Sequence, residues 1–312
     1  AAGEQAWRAI SRLERGDTTA AEPLLEELFT LYAGRRGVTS ERIAGGLLAC
    51  RLQRGAVAGA VTPWLAWFNA RTGSAPASLD IVAGYVDPAT GLSPGLPPVW
   101  LDLPSTGAMA RAPWLAPPAD SEPLAPAALD LAALYEQSVR REAGFEAMLP
   151  PERSADPAVR LVREMVASRV SPPDRRAEAR AALLKMLESR PPAWTEAWIR
   201  AAVGRSLLME SDRESRLLGI AQLAHIPARL SRESPYLTGV AIAEMAVAVA
   251  ELGDAEGGVV LRQELASGYG GHPALEWAPL RALAAPPARA TAPKADSADS
   301  NADPITGEGG PN

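Results

Sequence analysis

Along residues 236–252 the apolar side chains Val240, Ala241, Met245, Ala248 and Leu252 return at three- and four-residue steps, the spacing of one helical stripe. Gly253 and Asp254 break the pattern. Glycine can take the left-handed conformation that ends a helix, and aspartate can accept from the free amides that open the next. Counting from Gly253, position plus five is the small Gly258, where two helices could approach closely, and plus twelve is Leu265. The same ruler fits Gly16, Asp17, Ala21 and Leu28, and a third time Gly55, Ala60 and Trp67. A recurring helix–turn–helix unit is the signature of a helical repeat array.

Stripes and caps predict the remaining elements. A first helix spans 4–15 with Trp7, Ile10 and Leu13 on one face. Asp17 or Thr18 caps a second to Tyr32, with Leu24, Leu25, Leu28 and Leu31 inward. A third runs from Ser40 to Gln53 and a fourth from Val57 to Arg71, where Pro63 either kinks the helix or marks its true start. Further on, helices are expected over 127–148 with Leu129, Ala132, Ala133 and Val139 inside, and from Asp156-Pro157 to Val170. Others follow from Ser171-Pro172 to Arg190, over 194–210, and over 212–226 behind a Ser211/Glu214 capping box, with Pro227 closing it.

The pattern divides the chain into four parts: N-terminal helical hairpins (1–74), a proline-rich irregular insertion (75–126), a C-terminal helical repeat region (127–284) and a tail (285–312). The insertion holds proline too densely for regular helix, yet carries Val99, Trp100, Leu101 and Trp114, too apolar a set for a plain linker. Three readings fit it: an ordered extension packed along the helices, a binding loop presenting tryptophans, or disorder. The tail has almost no large apolar residue and is expected to be disordered.

The fold class is therefore all-α, a solenoid-like array of antiparallel helix hairpins with one long insertion. Its Gly-Asp turns followed by a small and then a large apolar residue resemble the tetratricopeptide repeat over about 1–71 and 236–273. Tyr269 and Pro273 stand near that family's aromatic residue and helix-ending proline. The first-helix tryptophan and tyrosine of the family are missing, and Arg262 occupies a position where an aromatic residue is common. The resemblance implies a surface that holds a protein or peptide.

Composition narrows the chemistry. The chain has 312 residues and a net charge of −6, without the clustered arginine and lysine that nucleic acid requires. Lysine occurs only at Lys185 and Lys294, a bias expected of a GC-rich, bacterial genome. Cys50 is alone in an apolar run and reads as a small buried thiol. No run of eighteen apolar residues is present, so no transmembrane segment is expected. The Ala1-Ala2-Gly3 start suits a mature end left by signal-peptide removal, so a periplasmic or secreted location is expected, with a cytoplasmic one as the alternative.

Two histidines without further cysteines cannot build the usual zinc sets, and neither a Gly-x-Ser-x-Gly elbow nor a phosphate-binding glycine loop is present. Neither metal nor cofactor is predicted. His225 reads as a satisfied, partly buried helix residue and His272 as the more exposed of the two. Asp87-Pro-Ala-Thr-Gly91 and Asp303-Pro-Ile-Thr-Gly307 read as turn chemistry, and the calcium-loop-like run from Asp299 lacks the required glycine and glutamate.

The tryptophans form the remaining set: Trp64 and Trp67 three apart, Trp194 and Trp198 four apart, and Trp100 and Trp114 in the insertion. Rings so spaced fill gaps between helices or floor a concave groove. The expected function is a non-catalytic protein–protein interaction scaffold or accessory subunit, with these six as candidate partner-binding residues. The alternative is a cell-envelope carbohydrate-binding protein or hydrolase with a tryptophan-bearing loop over a groove. A carboxylate pair beneath that loop, one with a raised pKa, would favour the second; packed apolar and arginine side chains would favour the first.

Overall fold

The computed structural model describes residues 2–71, 79–111, 115 and 123–283. Every regular element among them is helical. The N-terminal group comprises α1 (Ala2–Glu14), α2 (Thr18–Tyr32), α3 (Val38–Gln53) and α4 (Val57–Ala70). Two short helices, α5 (Leu79–Val82) and α6 (Pro104–Met109), lie in the proline-rich part. Then come α7 (Pro126–Glu142), α8 (Pro157–Val170), α9 (Pro173–Glu188), α10 (Ala193–Leu208), α11 (Arg213–Arg229), α12 (Pro235–Glu251) and α13 (Ala255–Gly268). A 3₁₀ turn (Pro273–Glu276) and α14 (Ala278–Arg281) finish the described chain. Helices adjacent in sequence pack against each other, as a repeat array requires, and α4 packs on α7 across the proline-rich part. No helix among the described residues is long and apolar enough to cross a membrane.

The turns follow their chemistry. Gly253 has φ +104°, and the Asp254 carboxylate accepts from the Gly257 amide at 2.8 Å. A side chain at Gly258 would bring its Cβ to 2.7 Å from the Ala246 carbonyl, so glycine sets how closely α12 and α13 approach. Leu265 is fully buried, as the spacing requires. At the first copy Gly16 has φ +80° and Asp17 accepts from Ala20 at 3.2 Å. A second close crossing joins α10 to α11, where a Cβ on Gly204 or Gly219 would lie 2.9 or 2.8 Å from the other's carbonyl oxygen.

Pro63 sits inside α4, which starts at Val57. Proline leaves the carbonyl one turn back without its amide, and Arg51 Nη1 donates to that carbonyl, Gly59 O, at 2.5 Å. Pro227 likewise does not close α11, which continues to Arg229, and its cap is Asp212 rather than Ser211, accepting from Ser215 at 2.7 Å. The helix expected over 127–148 stops at Glu142.

Three expected core residues face outward. Trp7 and Leu31 are exposed at 65% and 57%; among the described residues α1 packs chiefly on α2 and α3, which leaves these side chains uncovered. Leu129 is exposed because its neighbour Asp130 takes the inward position, where its carboxylate accepts from the Arg153 amide at 2.8 Å and guanidinium at 3.2 Å. Otherwise one continuous core runs from Ala44 to Leu280 and includes Leu92, Leu96, Val99, Trp100, Leu101 and Leu103 of the proline-rich part. Smaller clusters join Ala9, Ala21, Leu25, Leu47 and Cys50, and Ala6, Leu28 and Ile43. Burial, then the carboxylate of Glu22, pushes the Cys50 thiol up to about 11, so it stays protonated at neutral pH.

Candidate functional site

The described proline-rich residues form an ordered extension at the centre of the fold. Proline removes amide donors and prevents a ladder, which leaves carbonyls that need partners. The helices supply them through aromatic side chains that carry one polar atom each. Trp64 Nε1 on α4 donates to Gly91 O at 3.0 Å, and Trp198 Nε1 on α10 donates to Pro94 O at 3.1 Å. The Tyr135 hydroxyl on α7 donates to Leu96 O, and the Tyr236 hydroxyl on α12 to Val99 O at 3.0 Å. Trp100 Nε1 returns the pattern, donating to Ser138 Oγ on α7 at 3.0 Å. Upstream, Asp87 accepts from the Thr90 amide at 2.9 Å and hydroxyl at 2.6 Å, and Gly91 has φ +74°, so the Asp-Pro-Ala-Thr-Gly run is a turn.

This fixes where the candidate tryptophans lie. Trp64, Trp67 and Trp198 are fully buried, and Trp100 is nearly so. Trp194 is half-buried, its ring 5.1 Å from that of Trp198 in an edge arrangement. Trp64, Trp100 and Trp198 tie α4, α7 and α10 to the chain's own segment, and the buried rings present no open face. Trp114 lies outside the described residues, as do Asp303–Gly307, the run from Asp299 and the tail.

Beneath Trp100 lies a buried ionic cluster from four helices. Arg205 on α10 reaches Glu244 on α12 at 2.7 Å and Glu142 on α7 at 3.3 Å, and donates to Trp100 O at 2.7 Å. Arg169 on α8 grips Glu142 with two bonds of 2.7 and 3.1 Å. Two acids and two arginines leave no net charge. Burial alone would raise the Glu142 pKa, but the guanidinium of Arg169 and then that of Arg205 outweigh it and hold the carboxyl at about 2. A carboxyl so held has no proton to give as a general acid at neutral pH.

The open site lies elsewhere, in a cavity of about 530 Å³, within the range of small-ligand sites. It forms where the α3–α4 turn, through Leu52, Gly55 and Val57, meets the start of α12 and the end of α13. Pro94, Gly95 and Pro97 bridge the two, and Tyr85, Tyr236 and Tyr269 supply aromatic walls. Trp100 backs the cavity, its ring 6.5 Å from that of Tyr236. The Tyr85 and Tyr269 hydroxyls make no hydrogen bond to the described residues, so both are available to donate. Ser234 Oγ, in the same wall, is enclosed and unpartnered. Glu233 is the charged side chain of the lining and forms no ion pair with a described residue.

His272 completes the wall and is more engaged than its glycine-rich turn suggests. Its ring stacks tilted on Tyr236 at 5.6 Å and packs over Gly239, where a Cβ would come within 2.5 Å of it. Nε2 lies 2.9 Å from Tyr236 O, and Nδ1 accepts from the Ala274 amide at 3.1 Å. A carbonyl only accepts, so the proton sits on Nε2 and the ring is neutral. Both nitrogens are used, which leaves none to act as a base. Burial holds the imidazole pKa below its ordinary value, against the opposing bond to Tyr236. A depressed folded pKa gives stability that is full above about pH 6.5 and is lost as pH falls through the folded value. The melting temperature should therefore drop between pH 7 and pH 5 by a few degrees more in the wild type than in His272→Asn, measured at constant ionic strength.

Sequence spacing did not indicate this cavity, because its lining comes from turns and helix ends. The one signal was the Gly-Tyr-Gly-Gly-His-Pro run itself, Gly268–Pro273, which is unusual in carrying two rings in a turn. Compared with models of protein families, with curated proteins and with solved structures, the chain matches none.

Proposed function

We propose that the chain is a non-catalytic interaction protein that holds part of a protein partner in the tyrosine-walled cavity between the α3–α4 turn and the α12–α13 pair. The observation that carries this reading is an apolar, aromatic wall with two uncommitted tyrosine hydroxyls, those of Tyr85 and Tyr269, and a histidine whose ring nitrogens are both engaged. The adjacent pairing of helices and the tetratricopeptide-like punctuation support it by analogy of fold, which alone does not assign function. The hydrolase alternative draws less support, because the carboxylates under Trp100 are paired with arginines and Glu142 is held low rather than raised.

Affinity capture from the native host tests the reading with the intact chain and Tyr269→Ala in parallel. A stoichiometric protein partner recovered by the intact chain, and reduced at least tenfold with the variant, is the expected outcome. Recovery that ignores the substitution would move the binding surface away from the cavity, and recovery of no protein by either chain would overturn the reading.

A further inference from the structure

The uncommitted groups of the cavity also indicate what kind of segment it takes. A polyproline II strand has no internal hydrogen bonds, and its prolines carry no N–H, so its backbone presents carbonyl acceptors only. Hydroxyl donors on aromatic walls match that backbone. Tyr85 and Tyr269 offer two such groups at one site. The molecule already uses this recognition internally: Trp64, Trp198, Tyr135 and Tyr236 donate to the carbonyls of Gly91, Pro94, Leu96 and Val99 in its own proline-rich run. A proline ring also packs well on a tyrosine face while the preformed strand loses little entropy on binding. The lining carries no arginine or lysine, although arginine is abundant in the chain, and its one charged side chain is the unpaired carboxylate of Glu233. Charge complementarity therefore calls for a basic residue in the ligand.

We infer that the cavity binds an extended proline-rich segment bearing a basic residue, contributed by a partner protein; this rests on the interaction reading above. Tyr85 and Tyr269 donate to its carbonyls and pack against its prolines. Glu233 pairs with the cation at the rim.

Fluorescence polarisation with labelled synthetic peptides tests this on the full chain. The probe is a decamer of nine prolines and one central arginine, set against decaproline, the same decamer with glutamate for arginine, and a glycine-serine decamer. Saturable binding of the arginine peptide is expected, at least tenfold tighter than the glutamate peptide, with no binding of the glycine-serine one. The double variant Tyr85→Phe/Tyr269→Phe, which keeps the rings and deletes the donors, should weaken binding about tenfold, the loss expected for two modest hydrogen bonds. Glu233→Gln should remove the preference for arginine and leave decaproline binding unchanged. Absence of saturable binding, or binding that ignores the tyrosine and glutamate variants, overturns the inference. An oligosaccharide such as chitohexaose displacing the peptide overturns it as well. So does a rise above tenfold in affinity when Pro286, Pro287 and Pro293 are replaced by alanine in the full chain, since that would make the chain's own tail the occupant. A cavity-dependent partner captured from the host without peptide binding would remove only the proline-rich ligand; loss of both results removes the interaction reading too.

Discussion

Replacing Arg205 by alanine should destabilise the protein by about 3–5 kcal/mol, the cost of removing one member of a buried ion cluster and leaving its partners uncompensated. Arg205 is almost fully buried and serves three acceptors at once: Glu244, Glu142 and the carbonyl of Trp100. Its loss leaves Glu244 without a cation and removes one of the two side-chain hydrogen bonds by which α10 holds the proline-rich run. The charge, not the volume, dominates the effect. Arg205→Met should therefore lose nearly as much, whereas Arg205→Met combined with Glu244→Met should recover a large part, because an apolar pair replaces a pair that was costly to desolvate. Urea unfolding checks all three through the midpoint at unchanged m-value. Acid gives an independent readout. Glu142 has a folded pKa near 2, below its ordinary 4.5, so its stabilisation is present above about pH 4.5 and is lost as pH falls towards 2. The wild type should lose stability steeply across that window and the Arg205 variants less so. Equal slopes would mean that the cluster does not govern acid unfolding.

Much of the helical framework was legible because its signals are local. A glycine that must adopt positive φ, followed by an aspartate that caps, marks a turn wherever it occurs, and Gly253-Asp254 and Gly16-Asp17 behave as their sequences require. Asp156-Pro157 opened its helix at the expected residue for the same reason. What failed locally failed through a partner far along the chain. Pro63 does not end α4, because Arg51 satisfies the carbonyl that the proline orphans. Leu129 faces out because Asp130 takes the inward position, bonded there by the amide and guanidinium of Arg153. Periodicity reports that a stripe is covered, but not by what. Trp64 and Trp198, read as gap fillers or groove floor, clasp the chain's own proline-rich segment, the latter across 104 positions of sequence. The cavity was hidden for a related reason: its lining is drawn from turns and helix ends, where neither a stripe nor a motif marks a residue as part of a wall.

Trp198→Ala tests whether that clasp holds the fold together, and it should cost about 3–5 kcal/mol, as truncation of a fully buried large aromatic does. Two terms add. The indole fills the space between α10 and the proline-rich run, and its Nε1 is the donor to Pro94 O, a carbonyl in a segment whose prolines prevent a ladder. Trp198→Phe separates them, since it keeps much of the apolar volume and deletes the donor. Its cost should be about 1–3 kcal/mol, the penalty for leaving a buried carbonyl unpaired together with a small void. Hydrogen exchange locates the effect. If the segment is an integral part of the core, amides over 91–101 and those of α10 should lose protection together in Trp198→Ala, because one cooperative unit opens. If instead the segment only lies against an independently stable array, its amides should exchange freely while α10 keeps its wild-type protection, and the cost should fall to about 1 kcal/mol. Because Pro94 and Pro97 also form the bridge of the tyrosine-walled cavity, the first result would make the binding site depend on this clasp: Trp198→Ala would weaken ligand binding without touching a lining residue.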